Sequence, residues 1–398
     1  MEQIKSLFLK IFGKLDPVLF FCSTSLSIIS VLTVWGSVGN FGASKLRMQV
    51  FISIVGVVIT ILLSHVDFRI LTEKRNVCLL LLGASVVLLL LPFTPLGSSG
   101  VSLDTGNKSW LVIPFTGLMV QPSEFTKLSF ICTFAAHLFY VRKRINRPLT
   151  LLLLAVHALL IIGPILLSGD LGVALVYGMM VLILLFCAGV HLLYFVGGSL
   201  VALLLSPFLW TMLKGYQQRR IIAGFNPEAY VNDAVLRDYV RQPLRSRTTI
   251  AAGGLFGQGI FGGEHYEILA ASHTDFIYAT VCEKFGFIGG ALVLILYIVM
   301  VVRIFMIAHT ANRSDCGGLI CAGVGGMLII QIVLNVGMCF AMLPVIGITL
   351  PFLSCGGSSM LALFMMFGLV HSVYSHSNAV RDFEKTDTFD IDSSLLDS

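Results

Sequence analysis

Ten separate stretches of this 398-residue chain are apolar enough and long enough to cross a lipid bilayer. A membrane-spanning α-helix needs about 20 apolar residues, and a helix satisfies its own backbone hydrogen bonds inside lipid. Charged residues make up 12% of the chain and its mean hydropathy is +0.93, whereas a soluble domain has about 25% charged residues. The sequence therefore predicts an all-α polytopic membrane protein. Its ten transmembrane helices are expected at approximately 17–36, 49–66, 77–94, 122–140, 149–168, 170–188, 191–213, 275–302, 316–340 and 357–376.

Lysine and arginine in the short loops set the predicted orientation, because these residues accumulate on the cytoplasmic side. With a cytoplasmic N-terminus, the inside segments hold 14 of these cations and the short outside loops hold three, Lys45, Arg47 and Lys108. Both termini are therefore predicted to be cytoplasmic. Residues 214–274, between the seventh and eighth helices, are then a large extracytoplasmic loop.

This loop carries seven cations although it is predicted to lie outside. Loops of about 60 residues escape the orientation bias, so the excess suits an anionic ligand or anionic lipid headgroups, as does the net charge of +5. Residues 1–376 are expected to form a single transmembrane domain. Residues 377–398 are acidic and rich in serine and aspartate, which predicts a disordered cytoplasmic tail. No soluble catalytic domain, nucleotide fold or nucleic-acid-binding pattern accompanies the spans.

Ionisable residues inside spans are costly and are candidates for functional groups. Glu124 and Lys127, in QPSEFTKLSF (121–130), are three residues apart and share a helix face. They predict a salt bridge near the outer interface that fixes two helices, or a pair that borders a polar cavity and sets the charge there, and the two interpretations are compatible. Asp170, in LSGDLGVAL (167–175), opens a span, where an acid caps a helix. A direct substrate contact is the alternative for Asp170.

The stretch SHTDFIYATVCEKFGFIGG (272–290) places acids at the mouth and in the body of an apolar helix. In the structural interpretation, Thr274 or Asp275 caps a helix that begins at Phe276. Glu283 is a second acid two turns inward, and the preceding loop is rich in arginine. These features favour a carboxylate beside a cation-lined, partly dry cavity, which is what a general base requires.

Two further segments are rich in glycine. GGLFGQGIFGG (253–263) contains a GxGxxG pattern without the βαβ unit that a dinucleotide site needs, so its glycines are expected to allow close backbone approach instead. LPVIGITLPFLSCGGSS (343–359) is too rich in proline and glycine for a continuous helix, which predicts a re-entrant or interfacial segment packed on protein. Asn335, in the span before it, is expected to find a hydrogen-bond partner there.

Together these stretches resemble one family, the SEDS proteins (shape, elongation, division and sporulation), and the resemblance covers nearly the whole chain. The LDP before the first span and the YQ…R and NPE pattern resemble the elongation members, which are RodA-like, with the division members, which are FtsW-like, as the alternative. The motifs that carry the resemblance, in the order of the family, are QPSEFTK (121–127), DLG (170–172), YQQRRIIAGFNPE (216–228), GGLFGQG (253–259), HTDFIYATVCEKFGFIGG (273–290) and NVGMCFAMLPVIGITLPFLSCGGSS (335–359).

The resemblance implies a peptidoglycan glycosyltransferase in the cytoplasmic (inner) membrane of a bacterium. It would join lipid II units into β-1,4-linked glycan at the outer face, with undecaprenyl diphosphate as the leaving group. The essential aspartate of the family corresponds to Asp275, and its QPSE…K acid and lysine correspond to Glu124 and Lys127. The implied partners are a class B penicillin-binding protein, which is a transpeptidase, and the elongation or division machinery.

In the predicted mechanism, Asp275 is the general base and arginines of the loop stabilise the diphosphate, since a guanidinium grips its oxygens bidentately. No metal ligand is assigned, although a divalent cation, Mg²⁺ or Mn²⁺, held by Asp275 and Glu283 is an open alternative. The substrate-binding candidates are Arg219, Arg220, Arg245, Arg247, His273 and Asp170, and the supporting residues are Glu283, Asn335, Gly356, Gly357 and Ser358.

Two competing functions are a lipid II flippase, or another carrier of a lipid-linked substrate, and a membrane scaffold. A carrier holds its charges near the bilayer midplane between two repeats, whereas these polar groups cluster at the predicted outer interface and no internal repeat is found. A scaffold predicts that Asp275 is dispensable.

Overall fold

The computed structural model describes residues 12–97, 108–113, 119–312 and 314–396, with side chains as far as Ser377. Single helical turns lie at Val38–Phe41 and Arg69–Thr72, and 3-10 turns at Leu91–Phe93, Arg142–Arg144, Pro227–Tyr230 and His265–Ile268. The strands β1 (Leu111–Val112) and β2 (Met119–Val120) form a short antiparallel pair. The longer helices in these ranges are α1 (Pro17–Trp35), α2 (Ala43–Ser64), α3 (Arg75–Leu90), α4 (Pro122–Val141), α5 (Pro148–Leu167), α6 (Leu171–Cys187), α7 (Leu192–Met212), α8 (Gly215–Phe225), α9 (Arg237–Ala252), α10 (Ile277–Thr310), α11 (Gly317–Cys339) and α12 (Gly357–Leu396).

Eight helices in the described part of the chain are long and apolar enough to cross a membrane: α1, α2, α3, α5, α7, α10, α11 and the first half of α12. The other two predicted spans coincide with α4 and α6. Helix α4 has 20 residues but contains Glu124 and Lys127, which lower its hydropathy. Helix α6 is apolar but has only 17 residues. The structure thus confirms a polytopic helical membrane protein.

The bundle is centred on α11 and α12. In their spanning segments, 61% and 78% of the residues are buried inside the protein, so these helices face other helices on most sides. Gly323 and Gly326 of α11 lie against Leu184 and Ile183 of α6, where any Cβ would be in tight contact. Small residues allow such close helix packing in membranes. Helix α7 has no buried residue, which places it at the periphery of the bundle.

Ion pairs join helix ends at the end of the bundle where α1 begins. The Asp16 side chain caps α1 by accepting a hydrogen bond from the amide of Leu19. It also accepts two hydrogen bonds from the guanidinium of Arg303, at 2.6 and 2.8 Å. The backbone amide of Asp16 in turn donates to Nδ1 of buried His371 on α12. These bonds tie α1, α10 and α12 together at the end predicted to be cytoplasmic.

The segment between α7 and α10, predicted as a loop, contains the two amphipathic helices α8 and α9. Buried Ser246 of α9 donates to the carbonyl of Cys339 on α11, and Gly224 of α8 lies against Pro344, where a Cβ would clash. Both helices are therefore docked on the end of the bundle at which α10 begins.

Helix α10 is interrupted at Gly286, whose backbone angles (φ 70°, ψ −169°) are not helical. The glycine-rich segment fills this break. The amides of Gln258 and Gly259 donate to the carbonyls of Glu283 and Lys284. In the other direction, the amides of Phe287 and Ile288 donate to the carbonyls of Gly254 and Leu255. The predicted close backbone approach of residues 253–263 is confirmed.

The disorder predicted for residues 377–398 stays a prediction. The backbone of α12 continues as helix to Leu396, whereas side chains are described only as far as Ser377, and residues 397–398 lie outside the described part.

We expect the substitution Gly286→Ala to destabilise the fold. This φ/ψ region is essentially restricted to glycine, and strain of this kind costs about 1–3 kcal/mol. In addition, a Cβ at Gly286 would lie 2.3 Å from the amide nitrogen of Gly257. The melting temperature of the purified protein in detergent should therefore fall. Gly178→Ala in α6 is the control, because a Cβ there meets nothing within 4 Å. Equal melting temperatures for the two variants would contradict this account of the break.

Candidate active site

Asp275 lies just before α10, where three chain segments meet. The helix begins at Ile277, and its N-cap is Phe276 with no side-chain cap. The predicted capping role of Thr274 or Asp275 was therefore wrong. The carbonyl of Asp275 instead accepts a hydrogen bond from the side-chain amide of Asn335 at 2.9 Å. The carboxyl group of Asp275 is therefore not used as a helix cap.

The segment 343–356 runs beneath Asp275 without helical structure, as the sequence predicted. The side-chain amide of Asn335 bonds the carbonyl of Ile348 at 2.6 Å as well as that of Asp275, so this buried residue joins the two segments. Further along, the hydroxyl of Ser354 donates to the carbonyl of Thr274 at 2.7 Å. Gly347, with φ +77°, passes so close that an added Cβ would lie 3.5 Å from the Asp275 carboxylate.

Asp275 is partly exposed, yet its surroundings weaken ionisation. Burial raises the pKa of the Asp275 carboxyl from 3.8 to about 6. The hydrogen bond from Thr274 and the charge of Arg220 lower this pKa, and the charge of Asp170 raises it, but burial is the largest effect. A carboxyl with a pKa near neutrality exchanges protons efficiently at physiological pH.

A second group of acids lies next to Asp275, on α4 and α6. Lys127 donates to Glu124 at 2.6 Å, and both side chains are almost fully buried. The predicted salt bridge is therefore present, but both partners belong to α4, so the prediction that it fixes two helices was wrong. Asp170 caps α6 by accepting from the amide of Val173, as predicted, and it also accepts from the side chain of Gln121 at 3.0 Å.

The end of the 343–356 segment supports this group. The hydroxyl of Ser358 accepts a hydrogen bond from the amide of Gln121. Gly356 accepts at its carbonyl from the amide of Met360 in the first turn of α12, which begins at Gly357. Three of the five residues predicted to be supporting, Gly356, Gly357 and Ser358, thus lie at the start of α12, and Ser358 contacts the residue before α4.

His273 contacts Lys45, a residue that the sequence analysis did not select. The Lys45 ammonium lies 2.7 Å from Nε2 of His273, and the Phe41 ring lies against the imidazole. Burial, and secondly the charge of Lys45, lower the pKa of His273 to about 4. His273 is therefore neutral at physiological pH, with Nε2 as the acceptor. The only sequence signal for Lys45 was a cation at the outer start of a span.

The four candidate arginines do not form one cluster. Arg220 of α8 is close enough to Asp275 to lower its pKa, and its guanidinium also lies 5.6 Å from the Tyr216 ring. Arg219 is exposed on the same helix. Arg245 donates to the carbonyl of Ile268, whereas Arg247 forms an exposed ion pair with Glu228 at 2.7 Å.

Glu283 binds residues 265–266 of the segment between α9 and α10 and does not contribute to the site around Asp275. Its carboxylate accepts hydrogen bonds from the amides of His265 and Tyr266 and from the His265 ring. Lys284 beside it donates to three backbone carbonyls, those of Gly36, Ile260 and Gly262. Glu283 is therefore a supporting residue, and its oxygens are not directed with Asp275 at a shared ligand.

Within the ranges given above, no group of three or more histidine, cysteine, aspartate and glutamate side chains is placed to hold a metal ion. Because Glu283 is satisfied elsewhere, the predicted pair of carboxylate ligands is not assembled. A divalent cation as cofactor stays a prediction, and no chemical step is derived through one.

The arrangement thus combines a carboxyl of raised pKa with cations at one end of the bundle. Under the predicted orientation this is the extracytoplasmic end. A carboxylate here can accept a proton, while Arg220 and Lys45 can hold an anionic group, since preorganised charges act strongly in a partly dry site.

Known proteins match this chain along nearly its whole length. A family model described as a cell cycle protein, covering FtsW, RodA and SpoVE, matches residues 7–379. The probable peptidoglycan glycosyltransferase FtsW of Trichlorobacter lovleyi is 30% identical over 369 residues, which cover 90% of this chain and 92% of the relative. Stage V sporulation protein E of Bacillus subtilis is 31% identical, covering 83% and 87%. The peptidoglycan glycosyltransferase MrdB of Escherichia coli is 29% identical, covering 91% and 94%.

Two solved structures share the fold. A chain of a peptidoglycan synthase complex, described as coordinating polymerization and crosslinking, superimposes with a TM-score of 0.77 at 28% identity, covering 91% of this chain and 98% of the other. The rod shape determining protein RodA of Thermus thermophilus has a TM-score of 0.65 at 25% identity, covering 90% and 96%.

The Glu124–Lys127 pair gives a stability test. Removing one partner of a buried ion pair leaves an uncompensated charge and costs about 3–5 kcal/mol, whereas neutralising both partners is often nearly neutral. Lys127→Met alone should therefore lower the melting temperature strongly. The double variant Glu124→Gln with Lys127→Met should regain most of the loss. A double variant as unstable as the single one would contradict the view that the two charges compensate only each other. It would indicate that Lys127 also stabilises other groups.

Proposed function

The chain belongs to the FtsW, RodA and SpoVE family of cell cycle proteins and is a multi-pass peptidoglycan glycosyltransferase of the bacterial inner membrane, and from this premise we propose that it polymerises lipid II with Asp275 as the general base. The single observation that carries this proposal is the position of Asp275. It is a partly exposed carboxyl with a raised pKa, held by its backbone at the meeting point of α10, α11 and the 343–356 segment.

The proposed reaction is one displacement. The Asp275 carboxylate accepts the proton of the 4-hydroxyl of the acceptor sugar as that oxygen attacks the anomeric carbon of the donor. The bond from the anomeric carbon to the diphosphate breaks, and undecaprenyl diphosphate leaves with the electron pair. Displacement of an α-linked diphosphate inverts the anomeric centre, which produces the β-1,4 linkage.

Arg220 is the first candidate to stabilise the leaving diphosphate, because its charge acts on Asp275. Arg219 follows on the same helix, and Lys45, which contacts His273 two residues before Asp275, adds a further cation. Arg245 and Arg247 already bond to protein groups, so they rank below Arg220. Asp170 caps α6 beside Gln121, and a sugar contact by Asp170 is a secondary proposal.

We propose ten membrane crossings, with α4 and α6 added to the eight helices that meet the length and hydropathy requirement. Ten crossings put both termini on the cytoplasmic side. They also put the starts of α4, α6 and α10 and the end of α11 on the outer side. Hydrogen bonds and packing contacts between these ends support placing them on the same side of the membrane. Examples are the hydrogen bond from Asn335 to Asp275 and the contact of Gly172 with Ile346.

A class B penicillin-binding protein is the proposed partner, whose transpeptidase would cross-link the new glycan. The structurally similar chain from a synthase complex that couples polymerization to crosslinking supports this proposal. For the cellular role we propose elongation, on the LDP before α1 and the YQ…R and NPE pattern. The relatives at 29–31% identity include an FtsW protein, stage V sporulation protein E and MrdB.

The test is glycan synthesis from purified lipid II by the full chain in liposomes, with and without the transpeptidase partner. We expect polymer from the wild type and none from Asp275→Asn, whose folding is checked by its melting temperature. Asp238→Asn is the control, because Asp238 is exposed on α9. Polymer from Asp275→Asn would show that Asp275 is not the general base. Transfer of lipid II across the bilayer without any polymer would favour the flippase, and full function of Asp275→Asn in cells would favour the scaffold.

The rate of polymerisation should depend on pH through Asp275. The base acts only when deprotonated, so a pKa of about 6 predicts a nearly full rate above about pH 7 and a fall of about tenfold per unit well below pH 6. Arg220 lowers this pKa, so Arg220→Gln should move the acidic limb of the normalised kcat/KM profile to higher pH. Arg247→Gln should leave the limb in place. A limb that does not move in either variant would contradict the assignment to Asp275.

A further inference from the structure

A cavity of about 460 Å³ opens between α3, α4 and α5, at the opposite end of the bundle from Asp275. Leu79 and Leu160 form part of its apolar wall and are 55% and 46% exposed, so the cavity is open to the surrounding lipid. Tyr140 lies at the mouth and is 87% exposed. The proposed glycosyl transfer makes no use of this cavity.

The mouth of the cavity carries opposite charges that do not pair with each other. Glu73 and Arg75 both line it and both are exposed. Among the residues that the structure describes, neither side chain belongs to an ion pair; the pairs nearest in sequence are Arg69 with Asp315 and His376 with Asp67. The site therefore offers one cationic and one anionic group side by side at the membrane interface.

The deeper wall is polar on one side. His137 lies one helical turn inward from Tyr140, which is about 4.5 Å along the axis. Its Nδ1 lies 3.1 Å from Nδ1 of His157, and the two rings stack. Histidine inside a span is unusual and marks a polar ligand or pathway. This cavity thus has a charged mouth, a polar side just below it and an apolar wall.

We propose that this cavity binds one phospholipid with a zwitterionic, primary-amine headgroup, of the phosphatidylethanolamine class. Arg75 binds the phosphate at the start of α3, an end of a helix that favours anions. Glu73 binds the ammonium group. The histidine side faces the glycerol esters, and an acyl chain lies against Leu79 and Leu160. Under the orientation proposed above, this lipid comes from the inner leaflet.

Charge complementarity selects this headgroup over its alternatives. An anionic lipid would bring its net negative charge against Glu73, and a lipid whose amine is quaternary cannot donate hydrogen bonds to that carboxylate. A free phosphate would leave the apolar wall uncovered. The proposal does not depend on the transferase mechanism, because none of these residues contacts Asp275.

The experiment is native mass spectrometry of the full chain in detergent, with an equimolar mixture of phosphatidylethanolamine, phosphatidylglycerol and phosphatidylcholine of identical acyl chains. The wild type should retain one molecule of phosphatidylethanolamine in preference to the other two lipids. Arg75→Gln should weaken its retention about tenfold, as expected for loss of a charge-assisted contact. Lys74→Gln is the control, since Lys74 is an exposed neighbour outside the cavity wall.

Two further variants test the headgroup and the acyl slot. Glu73→Gln should change the preference towards phosphatidylglycerol, because the repulsion of an anionic lipid is removed. Leu160→Trp should fill the cavity and reduce lipid retention, whereas Leu159→Trp, on a lipid-facing neighbour that is 60% exposed, should not. Preference of the wild type for another headgroup, no preference at all, or equal losses in the paired variants would each overturn the proposal.

Discussion

The side-chain amide of Asn335 is the interaction on which the site depends. The segment 343–356 enters the protein without helical structure, so its backbone groups need partners away from water. Asn335 donates to the carbonyls of both Ile348 and Asp275, and Ser354 donates to the carbonyl of Thr274. The backbone around the acid is therefore fixed from below, while its carboxyl stays available. An acid used as a helix cap would have its oxygens occupied by backbone amides.

The break at Gly286 has a comparable role for the segment between α7 and α10. A continuous helix would use the carbonyls of Glu283 and Lys284 internally, whereas the break offers them to the amides of Gln258 and Gly259. The side chains of Glu283 and Lys284 then bond to backbone groups of the same region. Charges that look catalytic in the sequence thus hold the segment between α7 and α10 on the bundle. In the same segment, Arg220 of α8 lies close enough to Asp275 for its charge to lower the pKa of that carboxyl.

Much of the site could be predicted because its chemistry is local. The Glu124–Lys127 bridge follows from a spacing of three residues on a helix, and the Asp170 cap follows from an acid at a helix start. The partner of Asn335 was expected in the 343–359 segment and was found there. The cap at Thr274 or Asp275 was predicted by the same rule and was wrong, because tertiary hydrogen bonds hold residues 272–276 outside the helix.

The sequence by itself determined the class of the protein, the approximate positions of its apolar helices and the choice of Asp275 as the candidate base, because hydropathy and motif order do not depend on tertiary packing. Only the tertiary structure decided which charges act together. It placed Arg220 near Asp275, paired Lys45 with His273 and turned Glu283 towards residues 265–266. These contacts join residues far apart in the chain. The direction of each side chain is fixed by helix packing and by the break at Gly286, and the hydrophobic pattern of the sequence indicates neither of them.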